Sequence, residues 1–350
     1  MALKLNRLNK RQEAVLALAE KRQSISAAEA AKELPGFSRI TIVRDFNALL
    51  KNKYLERSGR GRGVVYKLSK QYLLLRPLDQ ERYFKDQPDK REVKEKFNFE
   101  IFGSIGSLFN PEEIKKLDLL TEKYRLNVKK LSQSRLQKNF ERLTIELSWK
   151  SALIEGNTYS LLETEALIKN GRAAKGHKKE ETEMILNHKN ALDYIRKNRS
   201  FYKRITVGKI SNIHTLLVKN LPIASGLRMG IVGIIGTKYR PLDNHYQIKE
   251  ALEDACSAVN KEKNPFDKAL ILMILIAYIQ PFADGNKRAG RMLGNAVLLA
   301  HNLCPLSYRS VDEVEYKKAV ILFYEQNNIS YFKQLFIEQF DFAVNNYFLA

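Results

Sequence analysis

The residues with the clearest potential for chemistry lie between positions 280 and 291, in the stretch QPFADGNKRAGR. The proline predicts the end of an apolar helix, and the glycine–asparagine pair predicts a tight turn from which a new helix starts. Lys287, Arg288 and Arg291 then fall in the first turns of that helix, where each cation opposes the helix dipole by about 0.3–1 kcal/mol. Free N–H groups, a glycine and converging cations predict a phosphate cradle.

Asp284 lies directly before these cations. It is a candidate Mg²⁺ ligand, because Mg²⁺ that accompanies a nucleotide typically uses only one or two protein carboxylates. The alternative is structural: Arg288 and Arg291 pair with carboxylates of the fold, and Lys287 stays in solvent. The density of these features over so short a stretch favours a site for a phosphate-containing ligand.

The same stretch resembles the Fic motif, His-Pro-Phe-x-(Asp/Glu)-Gly-Asn-Gly-Arg-x-x-Arg, and matches it at all but two defined positions. Members of that family transfer AMP, or another phosphate-containing group, from a nucleotide to a protein hydroxyl. The resemblance implies that the ligands are ATP or a related nucleotide and Mg²⁺, with Asp284 on the metal. It implies nucleotide contacts at Gly285, Asn286, Lys287, Arg288 and Arg291.

Two positions depart from the Fic motif. Gln280 stands where the family has its catalytic histidine, beside the catalytic positions Asn286 and Arg288. A carboxamide takes no proton near neutral pH, and loss of a positioned general base lowers a rate by about 10²–10⁴-fold. Among the other histidines, only His245 is a candidate substitute. Lys287 replaces a glycine, a form similar to Doc-type toxins, which transfer the γ-phosphate.

A second motif, SALIEGN at positions 151–157, places Ser151 and Glu155 on one helix face. Gly156 and Asn157 predict the end of that helix, so Glu155 lies where the helix dipole disfavours a carboxylate. The segment resembles the inhibitory helix of Fic proteins, (Ser/Thr)-x-x-x-Glu-(Gly/Asn). The resemblance implies that Glu155 pairs with Arg291 and blocks productive nucleotide binding. A partly exposed surface glutamate is the alternative.

Residues 231–240 are the one extended interruption in an otherwise helical second half. With the residues just before them, they resemble the flap hairpin of Fic proteins, which holds a target segment by strand addition beside the site. The resemblance implies that a protein target docks on this flap, and an ordinary surface hairpin is the alternative. The expected flap residues are Gly236, Thr237, Lys238 and Tyr239.

Residues 1–75 carry sixteen lysines and arginines against six acidic residues, so about half of the net charge of +21 lies there. A glycine-rich loop between two short extended segments, within 54–68, predicts a hairpin. Helix, helix-turn-helix and hairpin follow each other in the order of a winged helix. Before the hairpin, helices are predicted over 10–21, 27–34 and 38–52.

The third of these helices is predicted to pack on the first two through a face that contains Ile40, Val43, Asn47 and Leu50, with Phe46 and Leu49 beside it. Its opposite face is short, polar and basic, which suits a recognition helix in a major groove. With the arginine-containing loop that follows, this part resembles DeoR-like winged-helix regulators, and a protein-docking module is the alternative. The predicted DNA contacts are Arg39, Thr41, Arg44, Arg60 and Arg62.

The expected fold class is mainly α, with an α-helical Fido domain that carries a β-hairpin flap and an N-terminal α+β winged helix-turn-helix domain. The chain of 350 residues is long enough for several such units. The predicted units are a DNA-binding winged helix at 1–75, a helical connector at 76–145 and a Fic/Fido domain at 146–350. The inhibitory helix is expected around 144–157.

Composition narrows the partners. A net charge of +21 and a pI near 9.7 favour polyanions, here DNA and nucleotide. Cys256 and Cys304 are expected to be buried free thiols, which favours a reducing, cytoplasmic compartment. The longest apolar run, 269–279, is too short to cross a bilayer, so no membrane partner is expected. A homodimer would match a symmetric operator.

Two functions stay open from the sequence. In the first, the winged helix binds an operator while the Fic-like domain senses a nucleotide with weak or absent AMP transfer. In the second, the chain is an active protein adenylyltransferase, or a Doc-like phosphotransferase, that modifies a protein hydroxyl and is autoinhibited by Glu155. Gln280 favours the first function, because transfer needs a base at that position.

Overall fold

The computed structural model of the chain describes residues 8–350, so residues 1–7 of the predicted first unit and the side chain of Arg62 lie outside it. Leu55 pairs with Leu68 in an antiparallel hairpin that forms the wall of an N-terminal apolar core. The predicted helices and hairpin are confirmed as elements. They are α1 (Lys10–Arg22), α2 (Ala27–Glu33), α3 (Arg39–Lys51), β1 (Leu55–Ser58) and β2 (Val65–Leu68).

Side-chain caps start the three helices of this part of the chain, which we call the head (residues 8–75). Asn9, Ser26 and Ser38 each accept the backbone N–H of the residue three positions on, which satisfies one otherwise free donor. Ile25 then pairs with Tyr66 of β2 in an isolated bridge, which ties the start of α2 to the hairpin. Local capping and one tertiary bridge therefore fix the helix order.

The buried face of α3 agrees with the predicted one at Phe46 and Leu49 and differs from it at Ile40. Ile40, expected to face the core, is 68% exposed. Arg11 of α1 pairs with Asp45 and draws that carboxylate inward, while Phe46 stacks against Tyr66 of the hairpin. These two contacts rotate the helix away from the expected orientation. The residues of α3 that are buried are Ile42, Asp45, Phe46 and Leu49.

The rest of the described chain is helical, which confirms the mainly α fold class. Thirteen further α-helices follow: α4 (Lys70–Leu75), α5 (Gln80–Tyr83), α6 (Ile101–Ser104), α7 (Pro111–Lys130), α8 (Gln133–Ile154), α9 (Leu161–Asn170), α10 (Lys179–Lys197), α11 (Val207–Val218), α12 (His245–Lys261), α13 (Pro265–Ile279), α14 (Asn286–Ala300), α15 (Glu313–Gln326) and α16 (Ser330–Asn346). Short 3₁₀ helices lie at Gly61–Gly63, Pro88–Lys90 and Arg199–Lys203.

The helix α13 is apolar on all sides and forms the centre of the large core. It packs closely on α14 because Gly290 carries no side chain. A Cβ atom at Gly290 would stand 2.7 Å from the carbonyl oxygen of Met273, closer than packing allows. This close contact fixes the end of α13 and the start of α14 relative to each other, and thereby the two ends of the loop between them.

The predicted connector has no core of its own. Leu117 and Tyr124 of α7 are buried in the same apolar cluster as α13, and α8 runs unbroken across the predicted boundary at 145/146. Cys256 and Cys304 are free and buried, as the sequence predicts. Of the helices between residues 8 and 350, none combines the length and apolar character that a bilayer crossing demands.

Candidate functional site

The connecting loop (residues 280–285) joins α13 to α14. Gln280 caps α13 with a positive φ of 50°, which is uncommon for a residue other than glycine. Gly285 has a φ of 82° directly before α14, as its place in the turn requires. Asn286 holds the loop from inside, because its Oδ1 accepts the N–H of Phe282 at 2.9 Å and its Nδ2 donates to the Phe282 carbonyl at 2.8 Å.

The carboxamide of Gln280 is engaged on both sides. Its Oε1 accepts from Nδ2 of Asn286 at 2.9 Å, and its Nε2 donates to the carbonyl of Ala277 at 2.7 Å and to the hydroxyl oxygen of Tyr324 at 3.3 Å. Burial raises the pKa of Tyr324 far above its ordinary value, so that hydroxyl does not ionise. None of these contacts supplies a general base.

The three predicted cations lie close together but in different surroundings. Arg288 and Arg291 are buried, with side chains 1% exposed, whereas Lys287 is 29% exposed. Arg288 Nη2 lies 3.1 Å from Oδ2 of Asp284, and Oδ1 of Asp284 accepts the N–H of Gly285 at 2.6 Å. The predicted metal ligand is therefore an exposed carboxylate that already pairs with a predicted phosphate-binding arginine.

Glu155 reaches this cluster from the C-terminal end of α8. Its Oε1 lies 2.9 Å from Nη2 of Arg291 and its Oε2 lies 3.0 Å from Nζ of Lys287. Burial alone would raise the pKa of Glu155, but the two cations lower it to about 2. Gly156 turns the chain away with a φ of 94°, and Asn157 donates to the carbonyl of Glu181 at 2.9 Å. We call Glu155 and its two cations the gate.

A histidine that the sequence analysis does not single out supports the gate from behind. His188 donates from Nδ1 to the carbonyl of Met184 at 2.7 Å, and its Nε2 accepts the hydroxyl of Ser151 at 2.9 Å. Ser151 in turn accepts Nε–H of Arg291 at 2.9 Å. Burial lowers the pKa of His188 to about 3, so the ring stays neutral and in one tautomer. This chain of bonds orients the Arg291 guanidinium.

A second histidine, His214, supports the connecting loop. Its ring stacks on Phe282 at a centroid distance of 3.7 Å, and its Nε2–H donates to the carbonyl of Asp284 at 2.9 Å. Burial lowers the pKa of His214. His245, the substitute base considered from the sequence, instead contacts the carbonyl of Arg228 through Nδ1 at 3.3 Å. When Nδ1 donates to that carbonyl, Nε2 is the nitrogen that can still accept a proton, so a role of His245 as a base stays a prediction.

The predicted β-hairpin flap is not formed. Among the described residues only β1 and β2 pair as strands, and Arg240 makes just an isolated bridge to Lys96. The guanidinium of Arg228 donates to the carbonyls of Gly230 and Leu242, which lie on either side of residues 231–240. The predicted hairpin is therefore corrected to an extended loop, and Arg228 contacts a carbonyl on each side of it.

The four predicted flap residues are tied to the rest of the fold. The Gly236 carbonyl accepts from Arg91 at 2.6 Å, Thr237 Oγ1 accepts the N–H of Tyr239 at 3.1 Å, and Lys238 Nζ lies 3.4 Å from the carbonyl of Asp89. Tyr239 is buried. The exposed apolar part precedes these four residues and contains Met229, Ile231 and Ile235. We call residues 229–235 the exposed segment.

A cavity of about 460 Å³ lies between the gate, the connecting loop, α15 and the exposed segment. Its lining includes apolar side chains such as Ile234, Val320 and Ile321, and the charged side chains are Glu155, Asp284, Lys287 and Lys317. Lys317, an exposed cation of α15, is not among the predicted site residues, because no motif marks it. A lining that contains both apolar side chains and two lysines suits a ligand with a flat base and a charged phosphate end.

Two buried nitrogen atoms test whether an anion fits here. Within residues 8–350, Nη1 of Arg288 and Nη1 of Arg291 have no hydrogen-bond partner. A buried donor left unpaired costs about 1–3 kcal/mol, so an anion that reached either atom would satisfy a free donor. A protein site for Mg²⁺ alone is not present among the described residues, because they hold no group of three or more metal-ligating side chains. Asp284 therefore suits Mg²⁺ only if phosphate oxygens of the nucleotide complete the coordination of the ion.

The predicted DNA contacts of the head lie mainly on its surface. Arg39, Arg44 and Arg60 are exposed. Thr41 is half-buried, and its hydroxyl lies 2.9 Å from that of Ser38. Arg62 belongs to the same loop as Arg60, but its side chain lies outside the described part of the structure.

The fold and the loop together define a class of protein. Residues 204–298, which contain the connecting loop, match the Fic/DOC family, so the chain contains a Fic/DOC family domain. Over 177 residues it is 25% identical to the protein adenylyltransferase fic-1 of Caenorhabditis elegans, covering 48% of this chain and 34% of that protein. Over 174 residues it is 28% identical to the protein adenylyltransferase Fic of Nematostella vectensis, covering 48% and 40%.

Solved structures share the helical fold. A fragment of Fic-1 from C. elegans superposes with a TM-score of 0.56 at 19% identity, over 67% of this chain and 71% of that one. A Fic family protein from Desulfovibrio desulfuricans G20 gives a TM-score of 0.57 at 20% identity, over 68% and 74%. At this identity the likeness establishes the fold alone. The chain spans less than half the length of the curated relatives named above.

Proposed function

We propose that the Fic/DOC domain binds ATP or a related nucleotide, that the gate restrains this binding, and that transfer from the nucleotide is weak or absent. The observation that carries the proposal is the pair of buried Nη1 atoms on Arg288 and Arg291, which have no hydrogen-bond partner among residues 8–350. The carboxylates that pair with these arginines, Asp284 and Glu155, line the cavity together with Lys287 and Lys317. The names of the relatives, protein adenylyltransferases, point to the same class of ligand.

The gate restrains binding by occupying the cations. Glu155 satisfies Nη2 of Arg291 and Nζ of Lys287, the donors that a terminal phosphate would need. A phosphate must displace this carboxylate, and the displaced carboxylate must become hydrated to remain charged. Because Glu155 is only 17% exposed and keeps a pKa of about 2, it stays charged and paired near neutral pH. Nucleotide binding is therefore coupled to movement at the end of α8.

Transfer is weak because Gln280 does not take the proton of an attacking hydroxyl. Oε1 of Gln280 is occupied by Asn286, and the carboxamide is not basic. When Mg²⁺ is bound with the nucleotide, it neutralises phosphate charge, and Asp284 is the residue that would hold it. Arg288, already paired with Asp284, would orient the phosphate next to that ion. These residues bind and orient, but they do not activate a nucleophile.

Nucleotide-dependent thermal stabilisation tests the binding proposal. A ligand that binds only the folded chain adds about 2.7 kcal/mol at a hundred times its Kd. We expect ATP with Mg²⁺ to raise the Tm of Glu155→Gly more than that of the wild type. Glu165→Gly, a change of the same type at an exposed glutamate of α9, is the control and should behave like the wild type. If ATP with Mg²⁺ shifted the Tm of neither the wild type nor Glu155→Gly, nucleotide binding would be refuted.

A second candidate function is an active protein adenylyltransferase or a Doc-like phosphotransferase. It is favoured by the exposed segment, whose Met229, Ile231 and Ile235 are 77%, 82% and 98% exposed beside the cavity and could dock a target chain. Label transfer to the chain itself or to a lysate protein, from α- or γ-labelled ATP and Glu155→Gly, would establish it. Silence in that assay, together with activity in Gln280→His, would decide for the binding protein.

We also propose that the head binds DNA, and that the whole chain is a cytoplasmic, nucleotide-sensing transcriptional regulator, with a homodimer matching a symmetric operator. The exposed Arg39, Arg44 and Arg60 and the charge of residues 1–75 support this. Fluorescence anisotropy with random duplex DNA tests it. Affinity should fall steeply with salt, because phosphate contacts release counterions. Absence of binding at low salt would remove the proposal.

A further inference from the structure

A single residue of α10 fastens the chain that follows the gate. Oε1 of Glu181 accepts the backbone N–H of Thr158 at 2.7 Å and the hydroxyl of Thr158 at 2.8 Å. The backbone carbonyl of Glu181 accepts Nδ2 of Asn157 at 2.9 Å. The Thr158 hydroxyl also lies 2.8 Å from Nδ1 of His177, from which it can accept while it donates to Glu181. We call the three hydrogen bonds between Glu181 and residues 157–158 the latch.

Helix capping explains only part of this arrangement. Oε2 of Glu181 accepts the N–H of Lys178 at 3.0 Å, the usual contact of a glutamate in the first turn of a helix. That contact does not involve Thr158. Burial raises the pKa of Glu181, but hydrogen bonds from Lys178 and Thr158 outweigh this effect and lower it, so the carboxylate stays charged. Hydrogen bonds to a charged acceptor are about twice as strong as neutral ones, which favours the latch.

Helix α10 holds the end of α8 at two points. His188 contacts Ser151 on one side of Glu155, and Glu181 contacts Thr158 on the other side. Glu181 and His188 are about two helical turns apart, so they lie on the same face of α10. The segment between the two contacts brings Glu155 to its cations. A backbone shift at Glu155 must therefore break one of the two contacts.

We infer that Glu181 is a positioning residue of the gate, because the latch keeps the backbone at Glu155 where its carboxylate reaches Arg291 and Lys287. Among the described residues that line the cavity beside the gate, Glu181 is not present. Loss of the latch should therefore promote nucleotide binding only by freeing Glu155. The inference rests on the proposed function and adds a controlling contact outside the site.

The first test is calorimetric titration of ATP with Mg²⁺ into the full chain. Glu181→Ala should bind about tenfold more tightly than the wild type, since one hydrogen bond to a charged group is worth at least that factor. A merely structural role would destabilise the chain without this gain in affinity. Glu29→Ala removes the corresponding cap glutamate of α2 in the head, and as the matched control it should leave the affinity unchanged.

Two milder variants separate the latch from the cap of α10. Thr158→Val leaves the contact between Glu181 and Lys178 intact and removes one bond of the latch, so a smaller gain of about threefold is expected. Glu181→Gln keeps a side-chain oxygen that can accept from Thr158, so its affinity should stay closer to that of the wild type than the affinity of Glu181→Ala does.

A double-mutant cycle with Glu155→Gly tests whether the latch acts through the gate. No carboxylate is left to be held in that background, so Glu181→Ala should give no further gain in ATP affinity. Urea unfolding of the same four proteins measures the coupling without a nucleotide. Glu155→Gly should destabilise the wild type more than it destabilises Glu181→Ala, in which the pairing of Glu155 is already weakened.

The outcomes separate the latch from the proposed function. If Glu155→Gly tightened ATP binding while Glu181→Ala and Thr158→Val did not, nucleotide binding would stand and the latch would be overturned. Equal gains from Glu181→Ala with and without Glu155 would overturn it too. If no variant bound ATP, the proposed function would fail, and the urea cycle would decide on the latch: additive losses would overturn it, and coupled losses would support it.

Discussion

The head and the Fic/DOC domain use positive charge in opposite ways. In the head, Arg39 and Arg44 lie in solvent, and the lone carboxylate of α3 is buried. In the domain, Arg288 and Arg291 are buried; Arg288 pairs with Asp284, and Glu155 comes from another helix to pair with Arg291. An exposed cation meets its anion without rearrangement, whereas a buried cation must first lose its partner. We therefore expect the head to bind DNA without a prior rearrangement. The domain should bind a nucleotide only when Glu155 has left its cations.

The largest expected effect is on label transfer from ATP, a reaction that concerns the domain and not the head. Gln280→His in a Glu155→Gly background places an imidazole at the mouth of the opened cavity. We expect label transfer from ATP to rise about 10²–10⁴-fold over Glu155→Gly alone, because a positioned base is worth that much. Gln280→Asn in the same background supplies no base and is the control. Equal transfer by both double variants would show that the site lacks more than a base.

The second effect sharpens the contrast between buried and exposed cations. Arg291→Met should lower the free energy of unfolding by about 3–5 kcal/mol, because it breaks a buried pair and leaves Glu155 charged. Arg44→Met removes an exposed cation from the head and should stay within about ±0.5 kcal/mol. Urea unfolding measures both. Similar losses in the two variants would mean that the head also depends on its arginines for folding.

A third effect concerns the chain of bonds behind the gate. Ser151→Ala removes the hydroxyl that links His188 to Arg291 and should lower the free energy of unfolding by about 1–3 kcal/mol. The Arg291 guanidinium then loses one of the hydrogen bonds that orient it towards Glu155. A nucleotide should therefore bind more tightly than in the wild type but more weakly than in Glu155→Gly. Urea unfolding and nucleotide titration check the two halves. Unchanged affinity would show that Ser151 is structural only.

The gate should also have its own pH dependence. The pKa of Glu155 is about 2 in the folded chain against an ordinary 4.5, so its stabilising effect is fully present above pH 4.5. It is lost as the pH falls from 4.5 towards 2. The difference in unfolding free energy between the wild type and Glu155→Gln should therefore be constant near neutral pH and shrink in acid. A difference that varied between pH 6 and 8 would point to another titrating group.

The smallest expected effect is in the head. Arg39→Ala and Arg60→Ala should each weaken binding to all duplexes alike and reduce the salt slope by about one. Lys169→Ala, an exposed lysine of α9, is the matched control. Anisotropy over a range of salt concentrations measures the slopes. A variant that altered sequence preference without altering the slope would be a base contact and not a phosphate contact.

Local features were predictable from the sequence, and distant ones were not. The end of α13, the turn at Gly285 and the end of α8 follow from a few neighbouring residues, so their positions are confirmed. His188 lies 37 residues from Ser151, and nothing in its surroundings marks that contact. The same holds for His214 and the connecting loop, which are brought together only by packing of α11 against α14.

The two corrections have the same physical origin. The orientation of α3 depends on Arg11, which belongs to another helix, and periodicity within α3 alone could not reveal it. The Gly236 carbonyl of the predicted flap accepts a hydrogen bond from Arg91, which lies 145 residues away in the sequence. In both cases a guanidinium from a distant part of the chain contacts the segment. Arginines with several donors are therefore the residues whose partners a sequence reading most easily misses.

Calorimetric titration of ATP with Mg²⁺ into the wild type and Glu155→Gly tests most directly whether the gate restrains nucleotide binding. We predict weak binding to the wild type and binding tighter by about 5- to 150-fold in Glu155→Gly, the usual range for coupled sites. Adding Arg288→Ala to Glu155→Gly should abolish the gain. Equal affinities in the first two proteins, or no heat in either, would contradict a buried phosphate site held shut by Glu155.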